Sequence, residues 1–276
     1  MAEKFDNSVT AEWDAWYGQG SALMAAGHFD GAVAKFDRVL ARDPANYYAW
    51  VLRGQALCEL QAYDASLDSF RVALRLQPKQ ALAWHGCGVV QAKQGNYQAA
   101  LQSFDHALDL AEDDPKAWYN RGNALLRLHR YEEALFSFNK AIDHKPESHR
   151  AWYNKALALA HLYRYPEALG SLDSAIALKR NCHYAWTYKG LILNKLHQYD
   201  QALGCFAKSL KYRKSNPNAW YGQATSYALR GDIPQAADSL RHAIDQSPNL
   251  YSVMVQTDPN FTAVLQQPEI QSVLQA

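Results

Sequence analysis

Cysteine is scarce in this chain, with four among 276 residues: Cys58, Cys87, Cys182 and Cys205. No two of them form a C-x-x-C pair, so their spacing indicates neither a disulfide framework nor a cysteine metal site. Long apolar runs are also lacking, since no stretch approaches the ~18 uninterrupted apolar residues expected of a membrane-spanning helix. The N-terminus has no basic start followed by an apolar run, as a secretory signal would. These absences favour a cytoplasmic protein without a transmembrane segment.

Sequence signatures of catalysis are absent as well. The chain has no G-x-S-x-G elbow, no H-E-x-x-H helix, no P-loop and no strand-bound G-x-G-x-x-G turn. The ten histidines are scattered, and the nearest pair considered, His144 and His149, lies on either side of Pro146. We therefore expect no enzymatic activity, no cofactor and no metal site.

Net charge is small, because 28 Lys and Arg balance 27 Asp and Glu to give +1. This balance argues against nucleic acid as a partner. The charge is unevenly distributed, however. Residues 1–115 carry 9 basic and 15 acidic residues, whereas residues 116–276 carry 19 basic and 12 acidic residues. A basic half of this kind can steer an acidic partner toward the molecule.

What the sequence does contain is a strict repeat. Seven of its eight tryptophans are spaced 34 residues apart, at Trp16, Trp50, Trp84, Trp118, Trp152, Trp186 and Trp220. A fixed period of this size predicts a solenoid built from tandem repeats. Each repeat is numbered here from three residues before its tryptophan. The repeats then start at Trp13, Tyr47, Ala81, Pro115, His149, His183 and Pro217.

Two amphipathic helices, A and B, are predicted in every repeat. Positions 4, 8 and 11 share one helix face, and positions 20, 24 and 27 share another. Position 8 is Gly in five repeats and Ala in two, which indicates close packing where a Cβ would collide. Helix A is expected to end at a left-handed cap in three repeats, at Gly27, Gly95 and Gly231. The predicted N-caps of helix A are Asn46, Asp114, Ser148 and Asn216.

This pattern resembles the tetratricopeptide repeat family. Trp at position 4, a small residue at 8, Ala at 20, Phe at 24 and often Pro at 32 are typical of it, and residues 117–125 follow a bacterial-type consensus. The resemblance implies an all-α, right-handed superhelical solenoid of helix-turn-helix repeats. We predict an N-terminal segment at 1–12, of which residues 1–10 are frayed, seven repeats at 13–250 and C-terminal capping helices at 251–276, starting near Asp258 and Pro268. Position 7 departs from the family, being basic in most repeats, and we expect its charges to reach water.

The resemblance also implies where a partner would bind. In this family the A helices line a concave groove, and positions 2, 5, 9, 12 and 13 form its wall. The partner-binding residues expected from these positions are Tyr48, Lys93, Lys116, Tyr119, Asn123, Arg127, Arg150, Tyr153, His161, Tyr184, Asn194 and Lys195. The basic members favour an acidic protein or peptide, and the two asparagines are expected to bond an extended backbone. The expected function is a non-enzymatic scaffold or adaptor in the assembly of a larger complex.

Three other functions were weighed. The family's clamp for chaperone C-terminal tails would fall on His85, Val89, Asn120, Arg150 and Asn154, where only Asn120 matches, so the sequence argues against it. A second function is binding of an anionic polymer or membrane surface through Lys208, Lys211, Arg213 and Lys214, which leaves peripheral membrane association open. A third is salt-dependent self-association of the oppositely charged halves.

Overall fold

The computed structural model describes the backbone of residues 7–275 and the side chains from Ala15 onward. Within that range the chain forms α-helices, one 3₁₀ turn and short connections, with no strand. The predicted all-α architecture of tandem helix pairs is therefore confirmed. Contacts divide the chain into two compact units, residues 1–145 and residues 146–276. No helix among the described residues is both long and apolar enough to cross a bilayer.

The first unit contains four helix pairs. Each A helix packs on its own B helix, and each B helix packs on the A helix of the next repeat in the unit. The helices are α1 (Asn7–Ala25), α2 (Phe29–Arg42), α3 (Tyr47–Glu59), α4 (Tyr63–Leu76), α5 (Ala81–Lys93), α6 (Tyr97–Leu110), α7 (Pro115–Arg127) and α8 (Tyr131–His144).

The second unit contains three helix pairs followed by shorter helices. Its helices are α9 (His149–His161), α10 (Tyr165–Leu178), α11 (His183–Lys195), α12 (Tyr199–Tyr212), α13 (Pro217–Arg230), α14 (Ile233–Gln246), α15 (Pro248–Thr257) and α16 (Pro268–Leu274). A single 3₁₀ turn, Pro259–Phe261, lies between the last two.

Helix boundaries agree with the repeat numbering except at the chain ends. From α3 to α13, every A helix begins at the first position of its repeat. At the N-terminal end, α1 begins at Asn7, six residues before position 1 of the first repeat, so residues 7–10, which were predicted to be frayed, are helical. Residues 1–6 of that predicted segment lie outside the described residues. At the C-terminal end, Pro248 starts α15 instead of only terminating the preceding helix, because proline is well tolerated in a first helical turn.

The repeated tryptophan owes its fixed place to a hydrogen bond. In repeats two to seven its indole Nε1 donates to the carbonyl oxygen six residues earlier, in the loop that precedes helix A, at 2.7 to 3.2 Å. Trp118, for example, donates to Glu112 at 2.7 Å. An indole N–H needs a partner when its ring packs inside a protein. The tryptophan thus joins the loop between repeats to the core.

The small residue at position 8 faces the aromatic residue at position 24 of the same repeat. A Cβ added at Gly122 would lie 2.7 Å from Cε1 of Phe138, whose ring is fully buried. All five glycines at this position face a phenylalanine in this way. In the two remaining repeats, both residues change together, to Ala156 with Leu172 and Ala224 with Leu240. Repeats of this chain therefore use one of two matched pairs, glycine with phenylalanine or alanine with leucine.

Position 15, which follows the end of every A helix by one or two residues, adopts a left-handed backbone in all seven repeats. The predicted caps Gly27, Gly95 and Gly231 have φ between 76° and 83°. Four further repeats adopt this conformation without glycine, at Gln61, His129, Tyr163 and His197, with φ between 58° and 60°. The A–B turn thus has one geometry throughout, and four repeats hold it with a side chain that disfavours it.

Three of the four predicted N-caps are confirmed. The side chains of Asn46, Asp114 and Ser148 accept hydrogen bonds from backbone N–H groups of the first helical turn at 2.8 to 3.3 Å. Asn216 does not cap. It is buried, and its amide donates instead to Thr187 Oγ1 and Ser209 Oγ, each at 2.9 Å. The Asn216 side chain therefore belongs to a buried polar cluster between α11, α12 and the start of α13 and does not cap α13 as expected.

Three of the four basic residues at position 7, Arg53, Arg121 and Lys189, pair with acids instead of only reaching water. The Arg53 guanidinium bonds Asp37 of the preceding B helix at 2.6 Å and the hydroxyl of Ser69 in its own B helix at 2.7 Å. Arg121 repeats this arrangement with Asp105 and Ser137 at 2.6 and 2.8 Å. A rigid guanidinium fork suits such bridging. At both arginines the departure at position 7 therefore links three helices.

A C-terminal cluster covers the last repeat. Tyr251, Val255, Phe261, Val264, Ile270 and Val273 are buried and pack with Leu240 and Tyr221 of the seventh repeat. Val253, on α15 between Tyr251 and Val255, is instead 59% exposed. Residues after α14 thus shield the apolar face that a terminal repeat would otherwise expose.

Candidate functional site

The exposed faces of the A helices carry the residues that the sequence nominated, and each unit presents its own set. In the first unit, Tyr48 on α3 is 55% exposed and rests edge-on against Tyr47, with ring centroids 5.1 Å apart. Tyr119 on α7 is half-buried against Phe138, with centroids 6.1 Å apart. Asn123 on the same helix is also half-buried. Tyr48 therefore offers the most accessible ring of this set.

The predicted partner-binding cations of the first unit differ in whether they form an ion pair within the protein. Lys93 forms an ion pair with Glu59 at 3.1 Å, which occupies its ammonium. Lys116 and Arg127, at the two ends of α7, are exposed and make no ion pair in the part of the chain that the structure describes. Charge available to a partner in this unit thus lies on α7 and not on α5.

A polar pair lies between α5 and α7, formed by two residues that the sequence placed only in the unsupported chaperone-tail clamp. Asn120 Nδ2 and His85 Nε2 are 3.0 Å apart, and the His85 ring lies 5.7 Å from that of Phe104. Burial lowers the pKa of His85, with a further lowering from nearby Lys116 and an opposing effect of Asp114. The imidazole is therefore held neutral, and this pair packs two A helices together.

Aromatic rings cluster on the A helices of the second unit. Tyr153 on α9 meets Tyr184 and Tyr188 of α11 edge-on, with centroids 4.6 and 6.0 Å apart. Burial raises the pKa of Tyr153 to about 12, so its phenol stays protonated at neutral pH. Tyr188 was not nominated, because position 6 is not among the groove positions that the family resemblance supplied.

Asn194 does not serve as a backbone-binding group. It is buried, its Nδ2 donates to the carbonyl oxygen of Gly222 at 3.2 Å, and its Oδ1 accepts from Ser226 at 2.8 Å. Both ends of the amide are thus used to hold α11 against α13. The expectation that it would bond a partner's backbone is corrected accordingly.

A pocket of about 390 Å³ opens on this face of the second unit. Its walls come from α9, α11, α13 and the start of α10, and residues 258–260 close one side. Rings of Tyr163, Tyr165, Tyr188 and Tyr221 line it, together with the nominated His161, Asn194 and Lys195. Three predicted residues are therefore brought together with four tyrosines, of which only Tyr221 stands at a position expected on the groove wall.

The charged groups of this pocket differ in whether they have partners within the protein. Asp258 accepts three hydrogen bonds: from the Tyr221 hydroxyl at 2.8 Å, and from the backbone and side-chain nitrogens of Asn260 at 3.0 and 2.7 Å. Burial, reinforced by Asp258, raises the pKa of Tyr221 and keeps it a donor. Lys195 is exposed and makes no ion pair among the described residues. The available charge in the pocket is therefore positive.

The basic ends of the B helices form a second surface in the second unit. Lys211 and Lys214 flank a shallow depression of about 670 Å³ floored by Trp220 and His242, whose rings stack 4.3 Å apart. Lys208 Nζ lies 4.4 Å from the ring centroid of Trp186. Arg150, also nominated, is exposed at the start of α9 and belongs to the A-helix set.

An acidic depression of about 410 Å³ occurs in the first unit. Phe136, which is 52% exposed, forms one wall of it with Trp118, and Glu132 and Asp109 lie at the rim. This surface was not predicted, although residues 1–115 of the sequence carry an excess of acidic residues.

Comparison with known proteins agrees with the repeat architecture. Tetratricopeptide repeat models match residues 17–81 and 188–250, and residues 115–148. A further TPR repeat model matches residues 92–129. Together these matches span well over half of the chain. No curated protein matches it at a significant level.

Many solved structures resemble this one. YrrB, described as a TPR protein with an unusual peptide-binding site, is 26% identical; the match covers 67% of this chain and 95% of YrrB, with a TM-score of 0.57. A MamA protein is 22% identical over 61% of this chain and 92% of its own, with a TM-score of 0.54. A tetratricopeptide repeat protein from Parabacteroides merdae is 15% identical over 95% and 97%, with a TM-score of 0.65. At these identities the last two show the fold alone.

Proposed function

Because the chain belongs to the tetratricopeptide repeat family, whose members bind proteins or peptides, we propose that it is a non-enzymatic adaptor that holds an acidic partner segment on the exposed faces of its A helices. The observation that carries this proposal is the set of exposed A-helix cations Lys116, Arg127 and Arg150, which make no ion pair among the described residues. The tyrosine-lined pocket of the second unit, with Lys195 at its wall, adds to it. Tyrosine and cationic side chains are enriched where protein interfaces gain their binding energy. The peptide-binding site of the similar protein YrrB supports the same class of function.

The exposed cations of the A helices support an acidic partner. Lys116, Arg127 and Arg150 make no ion pair among the described residues, so a ligand carboxylate need not displace an internal one. Complementary charge increases association rates, and the effect declines as salt increases. A preformed helical surface also reduces the ordering cost on this protein's side. We propose that the adaptor acts in the cytoplasm in the assembly of a larger complex.

The test is an affinity pull-down with mass spectrometry. The triple variant Lys116→Glu, Arg127→Glu and Arg150→Glu should fold normally, since exposed substitutions usually change stability by less than about 0.5 kcal/mol each. It should lose the partners that the wild type captures. The matched control reverses three cations on the B-helix side, Lys208→Glu, Lys211→Glu and Lys214→Glu, and should keep those partners.

The opposite outcome favours a second function. If the control loses its partners and the A-helix triple keeps them, the basic B-helix ends around Lys211 bind the ligand instead. An anionic polymer or membrane surface would then be identified by a steep loss of affinity with salt, because phosphate contacts release counterions.

A further inference from the structure

Residues 258–261 occupy the same face of α13 that a partner would occupy. Asp258 accepts the hydroxyl of Tyr221 at 2.8 Å, and Phe261, which is fully buried, lies with its ring 5.6 Å from the ring of Tyr221. Tyr221 stands at position 5 of its repeat, one of the positions assigned to the groove wall. The chain thus places its own acidic residue and its own aromatic ring, three residues apart, against a tyrosine of the A-helix surface.

The pocket begins where this internal segment ends. Asp258 and Asn260 form its boundary, and its remaining walls come from α9, α10, α11 and α13. Tyr188, at position 6 of its repeat, supplies an aromatic ring of the pocket, and Leu191 with Ile192 supplies apolar surface. The pocket therefore continues the surface that the internal segment already covers at the seventh repeat.

Charge decides which chemistry the pocket accepts. The carboxylate of Asp258 is fully engaged by its three donors, so it offers little to a cationic ligand. The ammonium of Lys195 has no counter-ion among the residues that the structure describes. Since the unmatched charge is positive and the walls are aromatic, an anionic group accompanied by a ring or aliphatic chain fits both features.

We propose that this pocket binds a peptide segment of a partner protein in which an acidic residue is followed within about three positions by an aromatic side chain, as in residues 258–261 of this chain. This inference rests on the proposed adaptor function and names the ligand for one of its surfaces. The acidic side chain pairs with Lys195, and the aromatic side chain packs among the tyrosines.

The experiment is selection from a displayed random library of twelve-residue peptides on the full-length protein. Wild-type protein should enrich peptides in which Asp or Glu precedes Phe, Tyr or Trp by about three positions. An enriched peptide, synthesised with a fluorophore, should bind Lys195→Glu protein at least tenfold more weakly, and Lys195→Arg protein within about threefold of wild type. The same peptide with its acid changed to Lys should regain affinity for the Lys195→Glu protein. Circular dichroism checks that each variant is folded.

The matched control is Lys211→Glu, which reverses another exposed lysine of the same unit on the B-helix side. It should leave peptide binding within about twofold of wild type. Enrichment of basic peptides, enrichment without an acidic residue, no enrichment at all, or equal binding by the Lys195→Glu protein would each overturn the inference. In any of these cases the A-helix triple variant can still lose the partners that the wild type captures in the pull-down, because its three residues lie outside this pocket. The adaptor function itself is contradicted only if the triple variant keeps those partners.

Discussion

The matched pairs at positions 8 and 24 predict that replacing glycine by alanine at position 8 destabilises the protein beside phenylalanine and stabilises it beside leucine. In the fourth repeat, Gly122→Ala would place a methyl group 2.7 Å from Cε1 of Phe138 and 2.9 Å from both Cδ1 and Cζ. Favourable carbon–carbon contacts lie at about 3.5 to 4.0 Å, so the ring would have to move by roughly 1 Å. Phe138 is fully buried on α8 and has little room to move.

Two opposing terms set the magnitude. Overpacking of a buried site costs about 1 to 3 kcal/mol. Replacing glycine by alanine inside a helix stabilises it by up to about 1 kcal/mol. Gly122→Ala should therefore lower the free energy of unfolding by about 0 to 2 kcal/mol in the wild-type background. With Phe138→Leu, which recreates the pair of the fifth and seventh repeats, the clash disappears and the same substitution should raise it by up to about 1 kcal/mol.

The assay is a double-mutant cycle by urea unfolding followed by far-UV circular dichroism. Four proteins suffice: wild type, Gly122→Ala, Phe138→Leu and the double variant. We expect a coupling free energy of about 1 to 3 kcal/mol, since the two residues are in direct contact. The control is Ala156→Gly beside Leu172, which should only destabilise, by up to about 1 kcal/mol. A coupling below about 0.5 kcal/mol, or stabilisation by Gly122→Ala in both backgrounds, would refute the packing argument.

Three further predictions concern the turn, the buried histidine and the C-terminal cluster. Gln61→Gly should raise the free energy of unfolding, as measured by urea unfolding, by about 0.5 to 1 kcal/mol. A left-handed backbone costs a residue other than glycine about 1 to 2 kcal/mol, and the greater entropy that glycine loses on folding offsets part of this gain. The control Gln98→Gly, within α6, should lower the free energy of unfolding instead. Burial lowers the pKa of His85 in the folded protein. The neutral imidazole therefore contributes to folding stability above the ordinary pKa of histidine, and this stability is lost as pH falls through that range. Melting temperatures between about pH 7 and pH 5 should consequently fall less steeply for His85→Gln than for wild type, and equal slopes would contradict this. Truncation after Ser247 should expose Leu240 and its neighbours, and light scattering and thermal melts should show aggregation or earlier melting; unchanged behaviour would mean that the cluster shields nothing.

Local patterns in the sequence were sufficient to predict the repeat architecture. The tryptophan period, the small residue at position 8 and the stripes at positions 20, 24 and 27 each follow from helix geometry within about ten residues. They predicted the helix pairs and the starts of the A helices from Tyr47 to Pro217. The caps at Asn46 and Asp114 also depend only on the turn that follows them, which is why the sequence identified them.

Tertiary structure decided what each polar side chain does. Asn216 and Asn194 have the amide chemistry of a cap or a ligand group, yet both bond distant parts of the chain. Asn216 donates to Thr187, 29 positions away, and Asn194 bonds Gly222 and Ser226, 28 and 32 positions away. Such distant pairings have no local signal, and neither does the contact between Asp258 and Tyr221, which are 37 positions apart. The pocket beside that contact arises because α9, α11, α13 and residues 258–260 meet in space. The sequence by itself determined which helices form and which faces they bury, because those choices are local and periodic. Only the packing of helices against one another determined which cations stay unpaired and which tyrosines share a wall.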